Sequence, residues 1–334
     1  MQSNWTDRYG RNHDYLRISV TDRCNLRCVY CMPAEGMKFE PEDRLLSFDE
    51  ITEFVRVAAR MGISRLRLTG GEPLVRKHLS VLIRRLAEIP GIQDIALTTN
   101  GMLLAKQARV LKEAGLTRVN ISLDSLRPDR FRQITRGGEV SRVLDGIRAS
   151  CEAGLSPVKL NVLLMKGRND DEIADFLRMT IDHPVEIRFI EYMPIGTRNE
   201  EWREGYIPLQ VVKERALQAG YDFTGTDKGI GSGPAEYYRI QGAAGTFGLI
   251  HPVSEHFCKT CNRLRLTADG NLKPCLYWSD EWNVRKWIGN EEGLKRLIQR
   301  ALELKPESHE MARSLLGQQL SRTPTGRKMS QIGG

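Results

Sequence analysis

The first two-thirds of the chain alternates short apolar runs with amphipathic stretches. Runs at Leu16–Val20, Arg65–Thr69, Asp94–Thr99, Arg118–Leu123, Val158–Leu164 and Glu186–Ile190 have the length and composition of strands. Between them, Phe48–Met61 places Ile51, Phe54, Val55, Ala58 and Ala59 on one face at helical spacing, and Ser47 before Asp49 and Glu50 marks a helix start. Leu79–Ile89, Leu104–Ala114, Val143–Ala153 and Asp171–Thr180 repeat the pattern. Met61-Gly62, Ala114-Gly115 and Ala153-Gly154 supply the glycine that commonly stops a helix.

This alternation, about six β-α units, predicts a parallel sheet with covering helices. Polar or glycine residues recur at the strand C-termini: Thr69-Gly70-Gly71, Thr98-Thr99-Asn100, Ser122, Asp124 and Met193. That recurrence favours a barrel wall, in which strand ends converge on one site. Beyond about residue 195 the pattern changes. Leu209–Ala219 reads as a helix, Gly225–Gly233 as a glycine-rich loop, and Glu236–Ile240, Thr246–Ile250, Leu264–Thr267 and Leu272–Leu276 as short strands. Glu291–Leu304 reads as a closing helix before a polar tail of about 30 residues. The expected fold is α/β: an incomplete (βα)6 TIM-like barrel over residues 1–220, with a C-terminal α+β extension over 221–334 covering its open side.

Composition narrows the class. At 334 residues and 40% hydrophobic, the chain can bury a sizeable core. No apolar run reaches the ~18 residues of a membrane span, and the polar N-terminus lacks the apolar core of a secretory signal. A cytoplasmic location is expected, where clustered cysteines read as metal or redox groups before disulfides. The net charge of +8 suits either a solvated basic surface or an anionic substrate.

Six of the seven cysteines form two triplets. Cys24, Cys28 and Cys31 follow the first strand in a C-x3-C-x2-C spacing, and Cys258, Cys261 and Cys275 form C-x2-C-x13-C. Cys151 is expected to pack in a helix. An iron–sulfur cube takes four ligands, so each triplet would hold a [4Fe–4S] cluster with one iron open. The alternative for the first triplet is a zinc site with His13 as fourth ligand, although structural zinc sites favour C-x2-C pairs. Arg17, Arg67, Lys159 and Arg188 each interrupt a different apolar strand, and Arg263 and Arg265 follow Cys261. Cations on several strands of one barrel would line a cavity for a polyanion such as a nucleoside triphosphate.

The run from Cys24 to Cys31, with Tyr30 before the last cysteine, resembles the signature of radical S-adenosylmethionine enzymes, and Leu68-Thr69-Gly70-Gly71-Glu72-Pro73 resembles their GGEP segment. The second triplet, followed by Asn262-Arg263-Leu264-Arg265, together with LTTNG, VNISLDSL, RFIEYMPIG and GSGPAEYYRI in order, resembles the GTP 3′,8-cyclase family of molybdenum cofactor biosynthesis over nearly the whole chain.

That resemblance implies a first cluster on Cys24, Cys28 and Cys31 that binds and cleaves S-adenosylmethionine, giving a 5′-deoxyadenosyl radical. It implies a second on Cys258, Cys261 and Cys275 that meets the guanine ring. By the same resemblance Tyr30, Gly70, Gly71, Glu72, Ser122 and Met193 contact S-adenosylmethionine. Arg17, Arg67, Thr98, Lys159, Arg188, Arg263, Leu264 and Arg265 would bind GTP, and Arg17 with the terminal Gly333 and Gly334 would serve catalysis. The reaction implied is cyclisation of GTP to (8S)-3′,8-cyclo-7,8-dihydroguanosine 5′-triphosphate. An external electron donor, a downstream cyclic pyranopterin monophosphate synthase and a homodimer are implied as partners, with no nucleic acid or membrane. The rival readings are a peptide-modifying maturase with an auxiliary cluster, which would carry more C-terminal cysteines, and a zinc-bound nucleic-acid-binding protein, for which the chain lacks an aromatic platform or basic stripe.

Overall fold

The computed structural model describes residues 5–195, 200–227 and 233–333. Six parallel strands follow one another in sequence and in space: β1 (Tyr15–Ser19), β2 (Arg65–Thr69), β3 (Asp94–Thr99), β4 (Arg118–Ser122), β5 (Val158–Leu164) and β6 (Glu186–Glu191). The intervening helices are α1 (Phe48–Met61), α2 (Leu79–Ala87), α3 (Ala108–Glu113), α4 (Pro128–Thr135), α5 (Val140–Glu152) and α6 (Ile173–Asp182). They pack on one side of the sheet, and a single apolar core joins the helix faces to Leu16, Ile18, Leu66, Leu68, Leu97, Ile121 and Leu160 of the strands.

Local chemistry sets the element ends. Ser47 accepts from the Glu50 amide at 3.1 Å while the Glu50 carboxylate accepts from the Ser47 amide at 2.7 Å, a capping box that starts α1. The helix stops at Gly62, where φ is +126° and a side chain would strike Trp5.

The remaining elements are α7 (Glu200–Gly205), α8 (Gln210–Gln218), β7 (Phe223–Thr226), β8 (Glu236–Ile240), β9 (Thr246–Ile250), β10 (Arg263–Leu266), β11 (Asn271–Lys273), β12 (Trp282–Asn283), α9 (Glu291–Glu303), α10 (Met311–Leu315) and α11 (Met329–Ile332). The strands do not form a separate sheet. β9 adds parallel to β6, and β10 adds parallel to β1, so one twelve-stranded sheet runs β12-β11-β10-β1-β2-β3-β4-β5-β6-β9-β8-β7. The wall is an open barrel whose two ends are both extended by C-terminal strands. Among the described residues no helix is long and apolar enough to cross a membrane.

Three expectations shift. The helix expected over Leu104–Ala114 begins only at Ala108, because Gly101–Gln107 closes in turns. The glycine-rich stretch begins inside β7, which pairs antiparallel with β8; residues 228–232 lie outside the described ones. The polar tail carries α10 and α11 and buries Ile332 to 1% exposure.

Candidate active site

The sequence puts a cation at the same depth on neighbouring strands, and the register makes them a row. Arg17 of β1 stands opposite Arg265 of β10 on one side and Arg67 of β2 on the other. Arg188 of β6 is opposite Asn161 of β5. Arg17, Arg67, Arg188, Arg263 and Arg265 line one cavity together with Cys258, Cys261 and Cys275. Among the described residues Arg67, Arg188, Arg263 and Arg265 pair with no carboxylate. Arg188 donates instead to the neutral amides of Asn120 and Asn161, each at 2.6 Å. Arg263 lies over the Phe257 ring, and Arg67 lies 5.6 Å from the Tyr15 ring with its buried Nε making no hydrogen bond.

Burial, then mutual repulsion, pushes Arg17 well below its ordinary value, while Arg67 and Arg265 are held down to about 10, burial again being the leading cause. Arg67 and Arg265 still carry charge at neutral pH. Buried positive charge without anions is costly, so this wall is built to receive one.

A second cavity adjoins the first at Asn161, Ile190 and Met193, which line both. Its walls include Cys24, Cys28, Tyr30, Cys31, Gly70, Gly71, Asn100, Ser122 and Asp124. The cysteine loop is fixed from several sides. The Val29 amide donates to the Ile134 carbonyl of α4 at 2.9 Å. The Tyr30 hydroxyl donates to Asp124 at 2.7 Å, and Asp124 also accepts from the Leu163 amide at 2.9 Å. Burial raises the Asp124 carboxyl to about 6.

Gly70 and Gly71 pack against the cysteine loop itself. A Cβ on Gly70 would meet the Thr21 carbonyl oxygen at 2.2 Å, and one on Gly71 the Arg23 carbonyl oxygen at 2.3 Å. The Gly71 and Glu72 amides donate to those two carbonyls at 2.8 Å each. The glycines therefore allow two backbones to lie side by side while one edge still faces the cavity.

The thiols fit cluster ligation. Each triplet lines a single cavity, and Cys24 accepts from the Leu26 amide at 3.4 Å, a contact suited to thiolate charge. Among the described residues no three His, Cys, Asp or Glu side chains surround one point as ligands of a single metal ion. The surroundings of the triplets differ. Burial pushes Cys24 up to about 11 and Cys31 to about 12. For Cys261, burial is outweighed by Lys305, Arg263 and Arg265, which together bring it down to about 7.

Several expected site residues sit elsewhere. Glu72 is fully buried behind the wall, where its carboxylate accepts from the Leu74 amide at 2.9 Å, the Thr99 hydroxyl at 2.8 Å and the Asn100 amide at 2.7 Å. It organises the loop rather than facing the cavity, and its burial raises it to about 7. The Leu264 side chain points into the core, opposite in face to Arg263 and Arg265, as strand alternation requires. Lys159 is buried against Glu186 and the Tyr237 hydroxyl, outside both cavity linings. Thr98 lines the cysteine-loop cavity with its buried hydroxyl unbonded.

His13 is not near the first triplet; it meets Asp7 at 3.1 Å among the residues that support the second. Burial first, then the charge of Lys305, keeps it neutral with a pKa of about 4. Gly333 sits in the barrel mouth, where its carbonyl accepts from Arg265 at 2.5 Å; Gly334 lies outside the described residues. Arg11, Asn161 and Lys305 also line the arginine-rich cavity, and the sequence offers no local signal for Arg11 or Lys305.

The profile of the radical SAM superfamily matches residues 18–180, and that of the molybdenum cofactor synthesis C-terminal region matches residues 185–311. A GTP 3′,8-cyclase of Listeria monocytogenes is 58% identical over 328 residues, covering 98% of each chain. One of Moorella thermoacetica is 50% identical over 331 residues, covering 98% of this chain and 99% of the other. The chain belongs to the GTP 3′,8-cyclase family. The fold is shared with Streptococcus suis SuiB bound to S-adenosylmethionine, at a TM-score of 0.59 and 15% identity over 89% of this chain and 76% of that one. As a member of the radical SAM superfamily, this cyclase-family chain uses a [4Fe–4S] cluster and S-adenosylmethionine.

Proposed function

We propose that the arginine-rich cavity holds GTP and that the cavity at the first cysteine triplet holds S-adenosylmethionine, within an enzyme that cyclises GTP to (8S)-3′,8-cyclo-7,8-dihydroguanosine 5′-triphosphate as the first step of molybdenum cofactor biosynthesis. The carrying observation is the in-register row Arg265, Arg17 and Arg67 ending beside three cysteines. Guanidinium groups on a rigid sheet suit phosphate oxygens, and their cost of burial is offset when the anion arrives.

Cys24, Cys28 and Cys31 would hold the cluster that supplies, when bound, the electron for cleavage of S-adenosylmethionine, and Cys258, Cys261 and Cys275 would hold a second, with one iron left open toward the guanine ring. Tyr30, Gly70, Gly71, Ser122 and Met193 position S-adenosylmethionine. Arg17, Arg67, Arg188, Arg263 and Arg265 hold the triphosphate, with Thr98 offering its hydroxyl to the substrate from the cysteine-loop side. Met193, Asn161 and Ile190 form the junction across which the ribose C3′ hydrogen would pass before C3′ bonds to C8.

The tail residues Gly333 and Gly334 would close this junction, with Arg17 completing it. We also propose a radical S-adenosylmethionine unit over residues 1–220 and an extension over 221–334, a cytoplasmic homodimer, an external reductant, and transfer of product to a cyclic pyranopterin monophosphate synthase. Iron analysis tests the cluster assignment. About eight irons per chain are expected, falling to about four when Cys258, Cys261 and Cys275 are replaced. No fall on that replacement would exclude the second cluster.

A further inference from the structure

Lys305 follows α9 and is 2% exposed. Its Nζ donates to the Arg263 carbonyl at 2.8 Å and to the Pro274 carbonyl at 2.5 Å. Those carbonyls belong to the two segments that carry Cys261 and Cys275: Arg263 is two residues beyond Cys261, and Pro274 immediately precedes Cys275. The third segment is held by Arg11, which donates to the Cys258 carbonyl at 2.9 Å.

The two cations differ in one respect. Arg11 is neutralised by Asp7 at 2.6 Å, whereas among the described residues no carboxylate pairs with Lys305. A buried ammonium is costly unless an anion lies near it, and two carbonyl dipoles satisfy only part of its charge. Lys305 lines the same cavity as the three thiols. Arg263 and Arg265 line it too, but neither bonds both cysteine segments at once.

We propose that Lys305 is the positioning residue of the second triplet, clamping the Cys261 and Cys275 segments and stabilising the reduced form of the cluster they hold. This rests on the reading of Cys258, Cys261 and Cys275 as cluster ligands. A fixed positive charge favours the state with one more electron, so Lys305 raises the reduction potential of that cluster.

The test uses full-length chain with Cys24→Ser, Cys28→Ser and Cys31→Ser, so that iron is held only at the second triplet. Lys305→Met and Lys305→Arg are added to it. Folding is checked by circular dichroism, iron and sulfide are counted, and the midpoint is read by paramagnetic resonance during reductive titration. In folded protein, Lys305→Met is expected either to lose the cluster or to keep it at a lower midpoint, and Lys305→Arg to restore both. A folded Lys305→Met chain with the parent's iron content and midpoint overturns the inference. If the parent with Lys305 intact takes up no iron, the second-cluster reading itself falls and this inference with it.

Discussion

The Gly333 carbonyl accepts a hydrogen bond from Arg265 at 2.5 Å, joining the C-terminal tail to the strand beside β1. Around that contact the space is closed: a Cβ on Gly333 would lie 2.4 Å from the Thr69 methyl, and the residue has φ of +66°. A substituted residue would meet both a clash and a left-handed backbone costing about 1–2 kcal/mol. Gly333→Ala is therefore expected to expel the tail and cut cyclisation at least about tenfold, that cost being worth about one decade in rate or more. Deletion of Gly333 and Gly334 is expected to abolish turnover with the iron content of the parent retained. Wild-type turnover in the deleted chain, measured alongside iron content, would remove the tail from the site.

Arg67 presents a split of stability and binding. Its buried Nε makes no hydrogen bond, so Arg67→Met is expected to leave the melting temperature unchanged or raised. GTP affinity is expected to fall roughly 10- to 100-fold, the worth of a charge-assisted hydrogen bond of about 1.5–3 kcal/mol. Calorimetric titration of the loaded protein with GTP and a thermal melt separate the two effects. A large loss of stability with affinity intact would place Arg67 in the fold and not in the site.

Tyr30 links the cysteine loop to the wall through Asp124. Tyr30→Phe leaves a buried carboxylate short of one donor, at a cost of about 1–3 kcal/mol. The expected result is a lower melting temperature and weaker retention of iron at the first triplet during chelator challenge, with the second triplet unaffected. Equal loss of iron at both triplets would contradict a local role.

Glu72 sets a pH dependence whose sign is fixed. Its folded-state pKa, raised by burial to about 7, exceeds its ordinary 4.5. The folded state holds the proton more tightly, so this contribution to stability is complete below pH 4.5 and is lost as pH rises through about 7. Glu72→Gln cannot ionise and should remove that slope. Melting temperatures of the two proteins across this range check it; parallel curves would show that Glu72 is not perturbed.

The strands were legible because their core-facing positions are apolar and buried, so that Arg17 and Arg188 stand out as single cations in β1 and β6 and Arg67 as one of two in β2. Arg17, Arg67 and Arg188 were visible for that reason. α4 was missed because its stretch is mostly polar and starts at Pro128, yet its carbonyls hold the cysteine loop. Glu72 was assigned to the cofactor because a motif fixes residue order but not which way a side chain turns from a tight backbone pairing. Arg11 and Lys305 could not be read at all. The contacts that tie them to the second triplet are to backbone carbonyls distant in sequence: Arg11 reaches one 247 residues away, although it also pairs with nearby Asp7, and Lys305 reaches the carbonyls of Arg263 and Pro274.

Transfer of hydrogen from C3′ of GTP is the central claim and can be followed by mass. The reconstituted protein is incubated anaerobically with S-adenosylmethionine, a reductant and GTP deuterated at C3′. One deuterium in the 5′-deoxyadenosine released, formed together with the cyclised product, is the predicted result. 5′-Deoxyadenosine that stays unlabelled, or that forms equally without GTP, would contradict it.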